Sequence, residues 1–313
     1  MPLRNLFVSA PFARPVDLSG RKIIVTGVAP NSIGFETART LASWGAQVTV
    51  TTRKNSAAAA DALRTRLPQG SANLVSSHDL DLAQAQSVRQ FAQWYTSGNQ
   101  TLDVLVNNAG VHLDLMSQWK QPQLTPDGHE IQWRINYLGT VHLTQLLLPL
   151  LRSTAGKAGE ARIVNVVSML HAKGSNATLL EGPAPYNSWA AYGRSKLALV
   201  HASFELQRRE AAANVKAYCL HPGAVYTNIA DKGLAGHPAI EALRRAMAPV
   251  EKFFLMTPEE GAQTSVHCAT QPGLAGGLYY DKCAAAKASA DACDAAVSAR
   301  LWDATEGLIR QLK

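Results

Sequence analysis

Paired cysteines are missing from this sequence. The four cysteines are spread over the C-terminal half without CxxC pairs, at Cys219, Cys268, Cys283 and Cys293. Such spacing argues against a zinc site and against a disulfide framework. We therefore expect no metal centre, and reduced thiols in a cytoplasmic protein.

Long apolar runs are also absent. The most apolar stretch, residues 143–151, is too short to cross a bilayer and contains Pro149. Residues 1–20 carry basic side chains and prolines but lack the apolar core of a signal peptide. The sequence thus predicts no membrane span.

Dense clusters of charge are missing as well, although the formal net charge is +7. Lysine and arginine are scattered, without the aromatic interleaving that nucleic-acid grooves use. A solvated basic surface is the simpler explanation, so we expect no nucleic-acid partner; salt-sensitive binding to DNA or RNA would favour that alternative. Because 47% of the residues are hydrophobic, the chain can bury a sizeable core, which excludes disorder.

The sequence does contain an alternation of short β-rich runs and longer amphipathic segments. Strands are predicted at 22–26, 47–51, 73–77, 102–106, 162–167, 215–220 and 277–280, and helices at 35–44, 57–67, 84–95, 128–151 and 190–212. This order predicts an α/β fold, a Rossmann-type doubly wound parallel sheet of about seven strands with helices on both faces. No linker interrupts it, so we expect one domain over residues 1–313. The alanine-rich residues 284–296 are interpreted as an exposed helix or a loose tail.

The first predicted strand runs into a turn suited to a diphosphate. The turn reads T-G-V-A-P-N-S-I-G and contains Gly27, Ser32, Ile33 and Gly34. A diphosphate needs a tight turn, backbone that can be approached closely and the free N–H groups of a helix N-terminus. The segment therefore predicts a dinucleotide site.

The residues after the second strand favour NADP(H) over NAD(H). Where NAD-binding proteins usually have an acidic residue for the ribose hydroxyl, this sequence has Thr52, and Arg53 follows. A guanidinium can grip a 2′-phosphate through two parallel N–H bonds. The alternative is that Arg53 and Lys54 merely solvate the start of a helix.

A phenol and an ammonium group lie four residues apart, at Tyr192 and Lys196, in a predicted helix. They share one helix face, and a nearby positive charge favours the phenolate that proton transfer requires. Ser168 ends the fifth strand, where its hydroxyl can donate to a carbonyl oxygen. Asn136 lies in the preceding helix, where its carboxamide can hold a water leading from Lys196 to solvent. Each of these residues alone is more often structural, but together, in this order and after a nucleotide turn, they favour a catalytic site for carbonyl/alcohol chemistry.

These residues resemble the short-chain dehydrogenase/reductase family, closest to its retinol-dehydrogenase-like branch. The resemblance runs from about Asp17 to Ile309 and departs in the first turn, where the family has three glycines and this chain has an extra residue and Ser32. It implies a catalytic tetrad of Asn136, Ser168, Tyr192 and Lys196. It also implies the following cofactor contacts besides the first turn and Arg53: Asp81 and Leu82 at the adenine, Asn108, Ala109 and Gly110 at the adenosine ribose, Tyr192 and Lys196 at the nicotinamide ribose, and Pro222, Gly223, Val225 and Thr227 at the carboxamide.

The substrate is less well defined by the sequence. We expect its pocket to be built by residues 171–189, by residues 228–257 and by part of 111–125. These segments contain apolar side chains that either line the pocket or belong to the core: Trp189, Phe253, Phe254, Leu255 and Met256. The resemblance suggests a small lipophilic carbonyl or alcohol such as a retinoid or steroid. The missing N-terminal anchor of membrane-bound retinoid enzymes instead favours a soluble enzyme with another substrate. A non-catalytic NADPH sensor or scaffold is the alternative, and homo-oligomerisation is left open.

Overall fold

One mixed sheet organises the molecule. The computed structural model describes residues 11–225 and 255–312. In this part of the chain eight strands pair in the order β3-β2-β1-β4-β5-β6-β7-β8. Their bounds are β1 Lys22–Thr26, β2 Gln47–Thr52, β3 Val75–Asp79, β4 Val104–Asn107, β5 Ala161–Val166, β6 Val215–His221, β7 Tyr279–Asp281 and β8 Ala284–Ala286. Strands β1 to β7 pair in parallel, and β8 pairs antiparallel to β7.

Helices cover both faces of this sheet. Their bounds are α1 Ile33–Ser43, α2 Ser56–Arg64, α3 Ala85–Gly98, α4 Ile131–Trp133, α5 Gly139–Ala158, α6 Ser188–Glu210, α7 Pro258–Thr270 and α8 Ala295–Gln311. One apolar core lies under α3, α5, α6 and α8, and a second lies under α1, α2 and α7. Strands β4 and β5 are buried along their whole length, because a parallel sheet covered on both faces has no solvent-facing side.

The predicted fold class is confirmed, and each predicted strand lies within two residues of an observed one. The prediction of an exposed helix or a loose tail at residues 284–296 was wrong, because Ala284–Ala286 form β8. The two residues between β7 and β8, Lys282 and Cys283, have φ of +49° and +57°, as a two-residue hairpin turn requires. The turn and the pairing partner, rather than alanine's low strand propensity, decide this element.

The predicted helix 128–151 is interrupted. A π-helix, Arg134–Leu138, separates α4 from α5, and it contains Asn136. Such π-bulges are rare and occur frequently at functional sites.

Neither a spanning helix nor a metal cluster is found between residues 11 and 225 or between 255 and 312. No helix there is long and apolar enough to cross a membrane, and no three His, Cys, Asp or Glu side chains converge to hold a metal ion. All four cysteines are free thiols.

Candidate active site

The sheet brings the predicted site residues to one edge. The chain builds β3-β2-β1 outward on one side and then crosses over to build β4-β5-β6 on the other. Crevices at such a switch point, outside the carboxyl ends of the strands, are where open α/β sheets bind ligands. Gly27 follows β1, Asn108 follows β4 and Ser168 lies just past β5, so the sequence positions converge there.

The turn after β1 is fastened to the end of β4. Asn108 donates its side-chain N–H groups to the carbonyl oxygens of Thr26 and Gly27, at 2.8 and 3.2 Å. The Thr26 hydroxyl accepts from the backbone N–H groups of Asn108 and Ala109, both at 3.0 Å. Gly27 has φ of +74°, and a Cβ there would lie 2.7 Å from the Ala109 Cα atom. Only glycine fits this turn.

Ser32, the departure from the three-glycine motif, caps α1. Its hydroxyl accepts from the Phe35 backbone N–H at 3.2 Å. Among the described residues, the N–H groups of Ile33 and Gly34 have no protein partner, as expected in a first helical turn. A side chain at Gly34 would collide with Asn108. The turn therefore ends in an open helix N-terminus, which favours an anion.

Arg53 lies just beyond β2 with an exposed side chain, and within residues 11–225 and 255–312 it forms no ion pair. The nearest acid along this edge, Asp79 of β3, is already used, because it accepts from the backbone N–H groups of Asn55 and Ser56 at 3.1 and 2.7 Å. A free guanidinium therefore faces solvent here.

Asp81 and Leu82 follow β3 at the same edge. The Asp81 carboxylate accepts from the Ala83 N–H at 3.0 Å and from the Gln84 side chain at 3.1 Å. The Leu82 carbonyl accepts from the buried Arg134 guanidinium at 2.6 Å. This bond links the predicted adenine contact to the π-helix that carries Asn136.

The three reacting groups of the predicted tetrad converge and are buried. Tyr192 and Lys196 lie one turn apart on α6, with the Lys196 Nζ atom 5.8 Å from the centre of the phenol ring. The Ser168 hydroxyl interacts with the Tyr192 phenol and lowers its pKa. Lys196 donates to the Val166 carbonyl at 3.1 Å. A Cβ built on Gly110 would lie 3.2 Å from both the Lys196 Nζ and the Asn136 Oδ1. The segment after β4 therefore packs closely against these two side chains.

Burial shifts the two titratable groups of the tetrad in opposite directions. It raises the pKa of Tyr192 to about 12, against a smaller lowering by the Ser168 hydroxyl. It lowers the pKa of Lys196 to about 8. The expected lowering of the phenol's pKa by Lys196 is not found, because desolvation penalises both charged forms. Burial therefore separates two pKa values that are ordinarily close to each other, so that the phenol holds its proton more strongly than the ammonium group does.

The Asn136 side chain forms hydrogen bonds with two other segments that its predicted role of holding a water did not include. Its Nδ2 atom donates to the Val111 carbonyl at 2.9 Å and to the Ser195 hydroxyl at 3.0 Å, and its Oδ1 atom accepts from the Val111 N–H at 2.8 Å. Both carboxamide N–H groups are therefore taken by protein, which leaves one lone pair on Oδ1 for a water. The side chain fastens the segment after β4 to α6.

His112 is a site residue that sequence reasoning missed. Its ring stacks on the Tyr192 phenol, with 4.0 Å between the ring centres and 14° between the planes. It also meets the Trp189 indole edge-on at 4.6 Å. The available signal was its position, two residues after Asn-Asn-Ala-Gly at the carboxyl end of β4, but part of residues 111–125 was expected only to build the substrate pocket.

Two histidines hold the segment that carries Ser168. His171 donates from Nδ1 to the Ser168 carbonyl at 2.7 Å, and its Nε2 atom accepts from the Ser289 N–H at 3.0 Å. The Nδ1 atom of His221 accepts from the Met169 N–H at 3.3 Å. Burial lowers the pKa of both histidines, which favours the uncharged imidazoles that these hydrogen bonds need.

The predicted carboxamide contacts lie after β6. A side chain at Gly223 would collide with Met256, and Val225 forms a parallel β-bridge with Met256. Pro222 lies between β6 and this bridge. Thr227 lies outside the described residues.

A cavity of about 540 Å³ opens beside Met169, the residue after Ser168, a volume that suits a small molecule. Its lining includes Met169, His171, His221, Gly223, Met256 and Tyr279. Of the predicted apolar lining, Met256 is there, whereas Trp189 packs on His112 and donates its indole N–H to the Leu115 carbonyl at 3.0 Å. Phe253, Phe254 and most of 228–257 lie outside the described residues.

Comparison with known proteins agrees with this geometry. A family model described as short chain dehydrogenase matches residues 21–236. Human retinol dehydrogenase 11 is 35% identical over 310 residues, covering 98% of this chain and 91% of that protein.

Two solved structures are also similar. A crystal structure of an uncharacterized protein from Mycobacterium paratuberculosis superposes with a TM-score of 0.69 at 32% identity, covering 94% of this chain and 95% of that one. The Pseudomonas aeruginosa RhlG/NADP active-site complex superposes with a TM-score of 0.64 at 27% identity, covering 84% and 94%. The chain therefore belongs to the short-chain dehydrogenase/reductase family, in its retinol-dehydrogenase-like branch, and is an oxidoreductase acting on CH–OH groups.

Proposed function

We propose that the protein is an NADP(H)-dependent oxidoreductase that interconverts a lipophilic ketone or aldehyde and its alcohol, with Tyr192 as the proton donor and acceptor. The observation that carries the proposal is the convergence of the Ser168 hydroxyl, the Tyr192 phenol and the Lys196 ammonium group, all buried, at the switch point of the sheet. The cavity lined by Met169, the residue after Ser168, is the proposed place of the substrate.

The residues at this edge fit a nicotinamide dinucleotide. The free N–H groups of Ile33 and Gly34 suit a diphosphate, and Gly27 supplies the φ of +74° of the turn that leads to them. Asp81 and Leu82 would hold the adenine. The remaining proposed contacts are those that the family resemblance implies: Asn108, Ala109 and Gly110 at one ribose, Tyr192 and Lys196 at the other, and Pro222, Gly223, Val225 and Thr227 at the carboxamide.

Preference for NADP(H) rests on Arg53. Its exposed guanidinium has no described acidic partner, and Thr52 supplies no carboxylate to bind an unphosphorylated ribose. The RhlG relative was solved with NADP, which supports the assignment.

The chain's own groups supply the proton chemistry. The bound cofactor supplies or accepts the hydride. In reduction, the Tyr192 phenol donates its proton to the carbonyl oxygen, while the Ser168 hydroxyl donates a hydrogen bond to the same oxygen as negative charge develops on it. Lys196 then returns a proton to Tyr192, and the remaining lone pair of Asn136 Oδ1 can hold the water through which Lys196 is resupplied.

Tyr192→Phe tests the proposal. We expect the variant to lose at least about 100-fold in turnover, because a phenyl ring cannot donate the proton. Oxidation of NADPH at saturating all-trans-retinal, benzaldehyde, cyclohexanone and a steroid ketone is followed by absorbance, and NADPH binding is followed by nicotinamide fluorescence.

Tyr186→Phe is the matched control, because its hydroxyl bonds Glu130 at 3.2 Å, away from Ser168. Full turnover by Tyr192→Phe would refute the proposal. NADPH binding without oxidation of any panel compound by the wild type would instead favour the sensor or scaffold alternative.

A further inference from the structure

His112 lies in an aromatic cleft on the face of α6 that carries Tyr192. Trp189 and Tyr192 are three residues apart and so project from the same side of the helix. The imidazole fits between them, face to face with the phenol and edge to face with the indole. One face of the Tyr192 ring is thereby covered by a side chain from a different element.

The backbone on both sides of His112 is fixed. Val111 exchanges two hydrogen bonds with the Asn136 carboxamide, at 2.8 and 2.9 Å. The Leu113 N–H donates to the Gln132 side chain at 3.0 Å. Because both neighbours are held by the segment around the π-helix, the imidazole is held against Tyr192 rather than free to swing away.

The imidazole is uncharged and makes no hydrogen bond with a described residue. Its Nε2 atom is buried without a partner. Burial, with a smaller effect of the Lys196 charge, lowers the pKa of His112 to about 4. Phenylalanine can therefore replace it without breaking a described hydrogen bond or removing a charge near neutral pH.

We propose that His112 is a positioning residue for Tyr192: its ring fixes the orientation of the phenol toward the substrate oxygen and keeps water from one phenol face. The proposal rests on the proposed function of Tyr192 as the proton donor and acceptor. It also gives the Asn136 carboxamide a second role, because Asn136 holds the backbone next to His112.

The pH dependence of alcohol oxidation gives this proposal a distinctive signature. Within the described residues, the groups that act on the Tyr192–His112 pair are Lys196 on α6 and the Ser168 hydroxyl beyond β5. Burial dominates the pKa of Tyr192, so admitting water to the ring lowers that pKa. Oxidation needs the phenolate and slows as the pH falls through the pKa. The acid limb of the kcat–pH profile is the range in which the rate falls as the pH falls. Removing the ring of His112 should therefore move this limb to lower pH. Misorientation of the phenol should at the same time lower kcat.

The experiment compares wild type, His112→Phe and His112→Ala, each saturated with NADP⁺. The substrate is the alcohol of the panel compound that the wild type reduces fastest, and kcat is measured from about pH 6 to pH 10. We expect His112→Ala to lose at least about tenfold in kcat, as misplaced catalytic groups do, with its acid limb shifted to lower pH. We expect His112→Phe to keep both the wild-type limb and a kcat within about threefold of wild type, because the stacked ring is retained.

Two results would overturn the proposal. The first is a His112→Ala limb and kcat equal to those of wild type. The second is a His112→Phe variant as impaired as His112→Ala, which would show that the ring nitrogens matter and not the stacking. Tyr192→Phe measured in the same series separates the two levels: if it is active, the proposed function fails, and if it is inactive while His112→Ala behaves as wild type, only the role of His112 fails. Thermal melting of each variant with bound NADP⁺ establishes that the compared proteins are folded.

Discussion

At the scale of single residues, the site is governed by burial. Tyr192, Lys196 and His112 each have their charged forms disfavoured by desolvation, which raises the pKa of the phenol and lowers the pKa of both bases. Charges in such a setting interact more strongly than in water. A cationic group bound beside Tyr192 would therefore favour the phenolate far more than the same group would at an exposed site.

The proposed preference for NADP(H) depends on one residue, Arg53. We expect Arg53→Asp to lower kcat/KM for NADPH by about 10- to 100-fold, since hydrogen bonds to charged groups contribute about 1.5–3 kcal/mol. Activity with NADH should be unchanged or higher, because a carboxylate at this position can accept from a ribose hydroxyl. Steady-state kinetics with both cofactors measure the ratio.

Lys157→Asp is the matched control for Arg53→Asp. It makes the same change of charge in the last turn of α5, near the opposite edge of the sheet. An unchanged preference for NADPH in Arg53→Asp would eliminate Arg53 as the determinant. An equal effect of Lys157→Asp would assign the change to the overall field of the protein instead.

The sequence identified most of the residues that meet at this edge, because their motifs are local and their strands are strongly apolar. It did not identify His112. A histidine in a polar segment carries no local sign of its partner, and the stacking on Tyr192 joins positions eighty residues apart. The hydrogen bonds of the Asn136 carboxamide could likewise not be predicted, because Val111 and Ser195 reach it only through folding.

At the scale of elements, α1 shows how a departure from a motif is accommodated. Ser32 replaces a glycine of the family pattern and caps the helix with its hydroxyl. We expect Ser32→Ala to lower the free energy of unfolding by about 1 kcal/mol and Ser32→Gly by only a few tenths, as at other N-caps. Urea unfolding measures both.

Thr65→Ala, at the other end of the neighbouring helix α2, is a suitable control, because its hydroxyl bonds the Ala62 carbonyl near the surface. The capping role of Ser32 is contradicted if Ser32→Ala is as stable as wild type. NADPH affinity should change little in Ser32→Gly, because the N–H groups of Ile33 and Gly34 are left in place.

Element boundaries were predictable where the hydrophobic pattern is strong, as in β1, and less so where pairing decides. The sequence pattern gave one continuous helix over 128–151, and the structure breaks it with a π-helix at Asn136. The extra residue in that turn follows from contacts with the segment after β4 and with α6, which periodicity does not report. The short strand β8 exists because Tyr279–Asp281 offers it an open edge.

At the scale of the whole molecule, several buried histidines link stability to pH. Burial lowers the pKa of His112, His142 and His201 to about 4 each, whereas an unfolded histidine has a pKa of about 6.5. The unfolded chain therefore binds more protons between these values. We expect the free energy of unfolding to fall on acidification from about pH 6.5 to about pH 4, by at most about 1.4 kcal/mol per pH unit for each histidine.

Urea unfolding at about pH 7 and about pH 5.5 measures this slope, in a range where carboxylates with lowered pKa stay ionised. His112→Phe should flatten the slope because it removes one of the histidines whose pKa is lowered most. His78→Phe is the control, since His78 lies at the edge of the sheet and bonds only the Asp79 carbonyl, at 2.7 Å. A slope unchanged in His112→Phe would contradict the linkage.

The sequence by itself determined the fold class, the nucleotide turn and the Ser168, Tyr192 and Lys196 set, because these depend on local hydrophobic periods, on residues at strand ends and on spacing within one helix. Only the tertiary structure decided which strands are neighbours, how deeply the reacting groups are buried, and that His112 stacks on Tyr192. Burial and stacking are sums over contacts between distant parts of the chain, and no local pattern encodes them.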